Sequence, residues 1–162
     1  MTDADVWADA PGVERVMVDT NVLLAATDTS RHRHDAAVRL LNEDRRALSA
    51  SPQNVREYLA VATRPIELNG LGLSSVDAVA NLGELLEGMD LVEEDADSAD
   101  RLTEMVGAGL AIGEQVHDAN IVAVAMACGA HTIVTDDRRH FARFADLITI
   151  ETLDQDGGAV GA

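Results

Sequence analysis

A small set of acidic side chains lies where the neighbouring residues predict either the end of a buried strand or a turn of helix. They are Asp19, Glu57, Asp118, Asp136 and Asp137. Carboxylate oxygens are the ligands that Mg²⁺ and Mn²⁺ prefer, and both ions also accept phosphate oxygens. Carboxylates that converge cannot all stay ionised without a cation, because their like charges repel. These residues point to a divalent metal site, provided that the fold brings them together.

Each of these acids also has a structural interpretation. Asp19 interrupts the apolar stretch VMVDTNVLL (16–24) and could cap the helix that follows. Asp118 could be an acid in the first turn of a helix, favoured by the helix dipole. Glu57 could be a solvated helix residue, and Asp136 with Asp137 could form an N-cap pair. Because the chain has 29 Asp and Glu residues, some are expected to align by chance.

Short apolar segments alternate with helical patterns, and this alternation predicts the elements that carry the acids. Strands are predicted at 15–19, 47–51, 89–93, 131–135 and 146–151. Helices are predicted at 22–26, 34–44, 52–63, 75–87, 96–108 and 116–128, with a short helix at 137–144 and a loop at 66–73. The alternation is typical of an α/β domain with a mainly parallel sheet covered on both faces. Ligands of such sheets bind beyond the carboxyl ends of the strands, where Asp19 is expected.

Length and composition favour a single globular domain. The chain has 162 residues, of which 47% are hydrophobic, and this is enough for a sizeable core. No apolar run reaches the roughly 18 residues of a membrane span, and the acidic N-terminus lacks the basic region of a signal peptide. The single cysteine, Cys128, is expected to be a small buried hydrophobe. We therefore expect a cytoplasmic protein without a membrane partner.

The charge balance is strongly acidic. The net charge is −17, and the basic residues are all Arg, with no Lys in the chain. Such a surface repels nucleic acid in dilute salt, whereas at 1 M salt the Debye length falls to about 3 Å and repulsion beyond contact range disappears. The composition resembles that of halophilic proteins, although a GC-rich genome would also favour Arg over Lys.

Four segments together resemble the successive motifs of PIN-domain ribonucleases, especially VapC-type toxins. They are VDTNVLL (18–24), QNVREYL (53–59), QVHDANIVA (115–123) and IVTDDRRHF (133–141). The resemblance covers residues 15–151. It implies a three-layer α/β/α fold, Mg²⁺- or Mn²⁺-dependent cleavage of RNA by activated water, and a homodimer. With the composition of the two ends, we expect an acidic lead-in (1–14), a PIN domain (15–152) and a flexible tail (153–162).

The resemblance also implies roles for single residues. It makes Asp19, Glu57, Asp118 and Asp137 the catalytic acids, with Asp19 and Asp118 as the metal ligands. Asp137 is selected over Asp136 because the fourth acid follows the strand-ending Thr after one variable residue. Asn21, Thr135 and Asp136 are expected to support these acids. Among the arginines that flank the motifs, Arg138, Arg139 and Arg143 are the RNA-binding candidates.

Other function classes fit less well. A phosphatase of the haloacid dehalogenase type needs a second Asp two residues after the first, where this chain has Asn21. A response-regulator receiver and a P-loop protein both need a Lys, and the chain has none. The remaining alternative is a PIN-like module that binds RNA or a protein partner without cutting. If the chain is a toxin, it should have an antitoxin that inserts an Arg-bearing segment into the acidic cleft.

Overall fold

The computed structural model describes residues 12–153. The predicted lead-in (1–14) and tail (153–162) therefore lie almost wholly outside the described residues. Within the described range the strands are β1 (Arg15–Val18), β2 (Ala47–Ala50), β3 (Asp90–Leu91), β4 (Thr132–Thr135) and β5 (Thr149–Thr152). The α-helices are α1 (Thr20–Thr27), α2 (His34–Glu43), α3 (Pro52–Thr63), α4 (Ser75–Leu86), α5 (Ala96–Gly107) and α6 (Gln115–Ala127).

All strands of the sheet run parallel, in the order β3-β2-β1-β4-β5. β1 lies at the centre, with Met17 opposite Ser49 on one side and Ile133 on the other. The residues of β1 alternate between the two faces of the sheet, as strand geometry requires. Val16 and Val18 belong to one core cluster and Met17 to a second. The predicted three-layer α/β fold with a parallel sheet is confirmed.

The two core clusters draw on different parts of the chain. The first surrounds Val18 with side chains from α1 to α4, including the fully buried Tyr58. The second surrounds Met17 with side chains from α5, α6 and the segment before β5, including Phe141 and Phe144. Burial of strand residues on both faces explains why β1 and β4 read as continuous apolar runs in the sequence.

Local structure departs from the sequence prediction in several places, and the strand predicted at 89–93 is only two residues long. The helix predicted at 137–144 is instead two 3₁₀ turns, Arg138–His140 and Ala142–Phe144, separated by the buried Phe141. The last strand begins at Thr149 rather than 146, because the backbone N–H groups of residues 147 and 148 bond back to the carbonyl of Phe144. The loop predicted at 66–73 contains a 3₁₀ turn, Ile66–Leu68. Short 3₁₀ turns are common connectors, and they leave no periodic apolar pattern.

The helices of the described part of the chain are too short or too polar to cross a membrane.

Candidate functional site

Asp19 lies at the carboxyl end of the central strand β1 and is the N-cap of α1. The residue is 7% exposed. One carboxylate oxygen accepts a hydrogen bond from the Thr20 backbone N–H at 2.8 Å, and the other accepts one from the Thr135 hydroxyl at 2.8 Å. The pKa of Asp19 is raised to about 7, mainly by burial and also by the nearby charges of Asp118 and Glu57, against the lowering effect of these hydrogen bonds.

The predicted supporting residues Asn21 and Thr135 lie beside Asp19. Thr135 ends β4, the neighbour of β1, so its hydroxyl faces Asp19 across the sheet. The Asn21 side-chain oxygen accepts from the Asp136 backbone N–H at 2.9 Å, and its amide nitrogen lies 3.4 Å from the Thr135 hydroxyl. The Asp136 carboxylate faces Arg33 instead, at 3.5 Å. Asp136 thus contributes its backbone to this cluster, while its side chain pairs outside it.

Glu57 projects from α3 with both carboxylate oxygens hydrogen-bonded. One accepts from the Thr20 hydroxyl at 2.8 Å, and the other accepts from the Gln53 side-chain amide at 2.7 Å. The Thr20 hydroxyl in turn accepts from the Asn54 amide at 2.9 Å. Glu57 is therefore held in one orientation beside Asp19, with one hydrogen bond on each carboxylate oxygen.

Gln53 connects the two helices that carry Glu57 and Asp118. Its side chain is buried, and its amide nitrogen also donates to the His117 backbone carbonyl at 2.9 Å. Its amide oxygen accepts from the Asn120 side chain at 2.7 Å. Because each polar atom of this amide has a partner, Gln53 fixes α3 against α6 at the level of the acids.

Asp118 lies in the first turn of α6 and is partly exposed. Burial raises the pKa of Asp118, and the neighbouring His140 opposes that shift. The His140 ring lies between two acids, with Nδ1 3.5 Å from the Asp118 carboxylate and Nε2 3.6 Å from the Asp137 carboxylate. Asp137 is thereby linked to Asp118 through His140.

Asp137 also has a structural contact of its own. It caps a 3₁₀ turn by accepting from the Arg139 backbone N–H at 3.0 Å. The Arg139 guanidinium bonds both carboxylate oxygens, at 3.0 and 2.7 Å, and this bond lowers the pKa of Asp137 to about 2. Of the two acids weighed for the fourth position, Asp137 is the one beside His140, whereas Asp136 is paired with Arg33.

The predicted RNA-binding arginines differ in their surroundings. Arg138 donates to the Ile150 backbone carbonyl at 3.0 Å, so its guanidinium is engaged with β5. Arg139 is paired with Asp137 but is 89% exposed. Arg143 is exposed, and its charge acts on Asp118 without a close ion pair.

Two adjoining cavities open on the acids. One of about 320 Å³ is lined by Asp19, Glu57 and Asp118, and one of about 540 Å³ is lined by Asp118, Asp137 and Arg143. His140 and Asp118 border both. Acidic and basic groups therefore meet in one open groove at the carboxyl edge of the sheet, where parallel α/β sheets bind ligands.

The donor set suits a hard divalent cation held by few protein ligands. Within residues 12–153, no three His, Cys, Asp or Glu side chains come close enough together to form a complete metal-binding group. Mg²⁺ sites of the kind used on phosphates take one or two carboxylates and complete the shell with water and phosphate oxygens. Asp19 and Asp118 fit that pattern, because their carboxylates line one cavity and each Asp19 oxygen, with a single hydrogen bond, keeps a lone pair for a cation.

Sequence reasoning missed Thr20, Gln53 and His140. Two of them had a usable signal. Gln53 precedes Glu57 by four residues on one helix, which puts both on the same face, and Thr20 directly follows the strand-end acid. His140 had no comparable signal, because its position depends on the 3₁₀ turn that follows Asp137.

Comparison with known families and solved structures points to one family. A family model described as PIN domain matches residues 16–147. No curated protein matches the chain significantly. Among solved structures, a similar chain occurs in VapBC2 from Rickettsia felis bound to a DNA fragment from their promoter, with a TM-score of 0.64 and 20% identity over 86% of this chain and 99% of that one. Another occurs in DNA-bound VapBC from Salmonella typhimurium, with a TM-score of 0.62 and 19% identity over 88% of this chain and 100% of that one. A third is Mycobacterium tuberculosis VapC20, described as a Sarcin-Ricin loop cleaving toxin (TM-score 0.62, 20% identity, 78% of this chain and 93% of that one). At these identities the likeness concerns the fold.

Proposed function

The chain belongs to the PIN domain family, and on that premise we propose that it is a metal-dependent endoribonuclease. Its reaction is the hydrolysis of a phosphodiester bond in RNA, and its centre comprises Asp19, Glu57, Asp118 and Asp137. The observation that carries the proposal is the meeting of Asp19, Glu57 and Asp118 at one open cavity beyond the carboxyl end of β1. A catalytic domain spanning residues 15–152 is part of the same proposal.

The acids have different roles in this proposal. Asp19 and Asp118 hold the cation, Mg²⁺ or Mn²⁺, since their carboxylates line the cavity together. Thr135 and the Thr20 backbone orient the Asp19 carboxylate from both sides, as outer hydrogen bonds do for metal ligands. A divalent cation bound there would lower the pKa of a water molecule that attacks phosphorus, and it would neutralise charge on the phosphate.

Glu57 and Asp137 act around that pair. Glu57 is fixed by Thr20 and Gln53 and contributes negative charge at the cavity wall. Asp137 is held at the other side by Arg139 and contacts His140. The centre lies at the joint of two cavities, so an extended strand of RNA can reach it without passing through the protein.

We further propose that the chain is the toxin of a toxin–antitoxin pair and acts as a homodimer. VapC20, one of the similar structures, is described as a toxin, and the antitoxin would supply an Arg that pairs with the carboxylates of the cavity. Expression of the chain alone should arrest growth, whereas expression of the Asp19→Asn variant should not. Light scattering of the purified protein tests the dimer.

RNA cleavage tests the proposed function. Total cellular RNA is incubated with Mn²⁺ or Mg²⁺ in molar KCl, using wild type, Asp19→Asn and Asp118→Asn. The matched control is Asp97→Asn, which removes an exposed acid paired with Arg101 on α5. We expect cleavage by wild type and control, and its loss in both centre variants and in chelator. Equal cleavage by all four proteins would refute the centre, and no cleavage by folded wild type would favour a binding module that does not cut.

A further inference from the structure

The two cavities at the acidic centre each have an arginine at the border. Arg64 lines the smaller cavity together with Asp19 and Glu57. Arg143 lines the larger cavity, together with Asp137 and the Arg139 that is paired with it. Because Asp118 and His140 belong to both cavities, Arg64 and Arg143 border different cavities that adjoin at the acidic centre.

We propose that this groove is the path of a single RNA strand, with Arg64 and Arg143 each contacting a phosphate on one side of the acidic centre. The inference rests on the proposed function and adds to it a path for the substrate across the centre. It assigns Arg64, at the end of α3, a role that the resemblance does not give it.

The other arginines near the centre are already engaged. Arg33 bonds the backbone carbonyl of Asp136 at 2.9 Å, and Arg138 bonds that of Ile150. Arg139 is paired with Asp137. Within the described part of the chain, neither Arg64 nor Arg143 forms an ion pair or a side-chain hydrogen bond, and both are exposed. Their guanidinium groups are therefore the ones that can take a phosphate without breaking an existing contact.

The loop after α3 holds Arg64 in its place. The N–H of Gly72 donates to the Arg64 carbonyl at 2.9 Å, and the N–H groups of Leu71 and Leu73 donate to carbonyls in the last turn of the helix. Gly70 packs so closely that an added Cβ would overlap the Arg64 carbonyl. The NGLG segment (69–72) thus folds back on the helix end and fixes the backbone from which the Arg64 side chain projects.

The charge of the molecule explains why phosphate contacts on both sides of the centre are needed. At net charge −17 the molecule repels a polyanion as a whole, and the centre itself is acidic. A strand can lie across it only if cations on both sides offset the repulsion at the flanking phosphates. Arginine suits this role because its planar guanidinium can bond two phosphate oxygens at once.

Binding of a labelled single-stranded oligoribonucleotide, followed by fluorescence anisotropy, tests the path. All proteins carry Asp19→Asn so that RNA is not cut, and KCl is varied over a range in which circular dichroism shows them folded. To this background are added Arg64→Ala, Arg143→Ala and both together. Arg64→Lys keeps the charge, and Arg101→Ala is the matched control on α5.

Each single Arg→Ala change should weaken binding roughly three- to tenfold at the lowest salt. It should also reduce the slope of log affinity against log salt by about one. The double variant should lose both contributions to affinity. Arg64→Lys should keep most of the affinity that Arg64→Ala loses, and Arg101→Ala should bind as tightly as the background protein.

The path would be overturned if Arg64→Ala and Arg143→Ala had the same affinity and salt slope as Arg101→Ala. It would also be overturned if the background protein did not bind the RNA. Cleavage by wild type is measured separately. Binding that depends on the two arginines, without cleavage, would refute the nuclease activity and support the RNA path. Cleavage together with binding that does not depend on the arginines would support the nuclease activity and refute the path.

Discussion

Asp19 is a carboxyl group that the fold buries at the end of an apolar strand, beside two other acids. Its two hydrogen bonds, from Thr20 and Thr135, orient it but do not offset the cost of ionisation in this position. A residue selected for stability alone would not be an acid here. The metal-free protein should therefore be less stable than it would be with a neutral side chain at this position.

Asp19→Asn should stabilise the metal-free protein near neutral pH. The folded-state pKa of Asp19 is about 7 against 3.8 for an unperturbed Asp, so the folded state binds more protons than the unfolded state between these values. Stability then falls as the pH rises from about 4 to about 7. In chelator at about pH 8, the variant should gain on the order of 2–4 kcal/mol of unfolding free energy, and the gain should shrink towards pH 4.

Denaturant unfolding in molar KCl measures this difference, with Asp97→Asn as the exposed control. If Asp19→Asn were less stable than wild type in chelator at about pH 8, burial of an ionised Asp19 would not carry the cost assigned to it.

At the residue scale, the sequence predicted the position of Asp19 because a strand-end acid stands out in an apolar run. It also predicted Asn21 and Thr135 as its neighbours, through the resemblance. It did not predict that Arg138 bonds a carbonyl of β5 or that His140 lies between two acids. Such contacts depend on side-chain directions in short turns, which no periodic pattern encodes.

At the element scale, the centre depends on the packing of α3 against α6. Gln53 makes that connection with one amide, which contacts Glu57, the His117 carbonyl and Asn120. Sequence patterns gave both helices to within one or two residues, because their caps and apolar faces are local features. The pairing of the two helices is a tertiary contact, and it could not be inferred from either segment alone.

Gln53→Ala should destabilise the protein by about 1–3 kcal/mol, because it removes the hydrogen bonds of a buried side chain to Glu57, the His117 carbonyl and Asn120. Asn120→Ala should cost less, since Asn120 is partly exposed. The double variant should cost less than the two single changes added together, because both act on one shared contact. Unfolding midpoints of the four proteins measure this coupling. Strict additivity would mean that the two amides are energetically independent.

At the scale of the whole molecule, the fold class and the response to salt follow from different features of the sequence. Alternating apolar strands and helices predicted the parallel sheet, because strands buried on both faces cannot alternate in polarity. The predicted halophilic character rests on composition alone, at net charge −17 with no Lys. Repulsion among these charges opposes the compact state in dilute salt, and screening removes that cost.

Raising KCl from about 0.1 M to about 2 M should raise the thermal unfolding midpoint, because the Debye length falls from about 10 Å to under 3 Å. The rise should be steepest at low salt, where screening changes most. Calorimetry or circular dichroism across a KCl series measures it. A midpoint that stays constant or falls would show that charge repulsion does not limit the stability of this chain.

Mn²⁺ binding to the metal-free protein, followed by electron paramagnetic resonance without RNA, tests most directly whether Asp19 and Asp118 form a metal centre. Wild type and the Asp97→Asn control should bind with the same affinity. Asp19→Asn and Asp118→Asn should each weaken binding by about tenfold or more. Equal affinity in all four proteins, or no Mn²⁺ binding by folded wild type, would contradict the metal centre and with it the proposed chemistry.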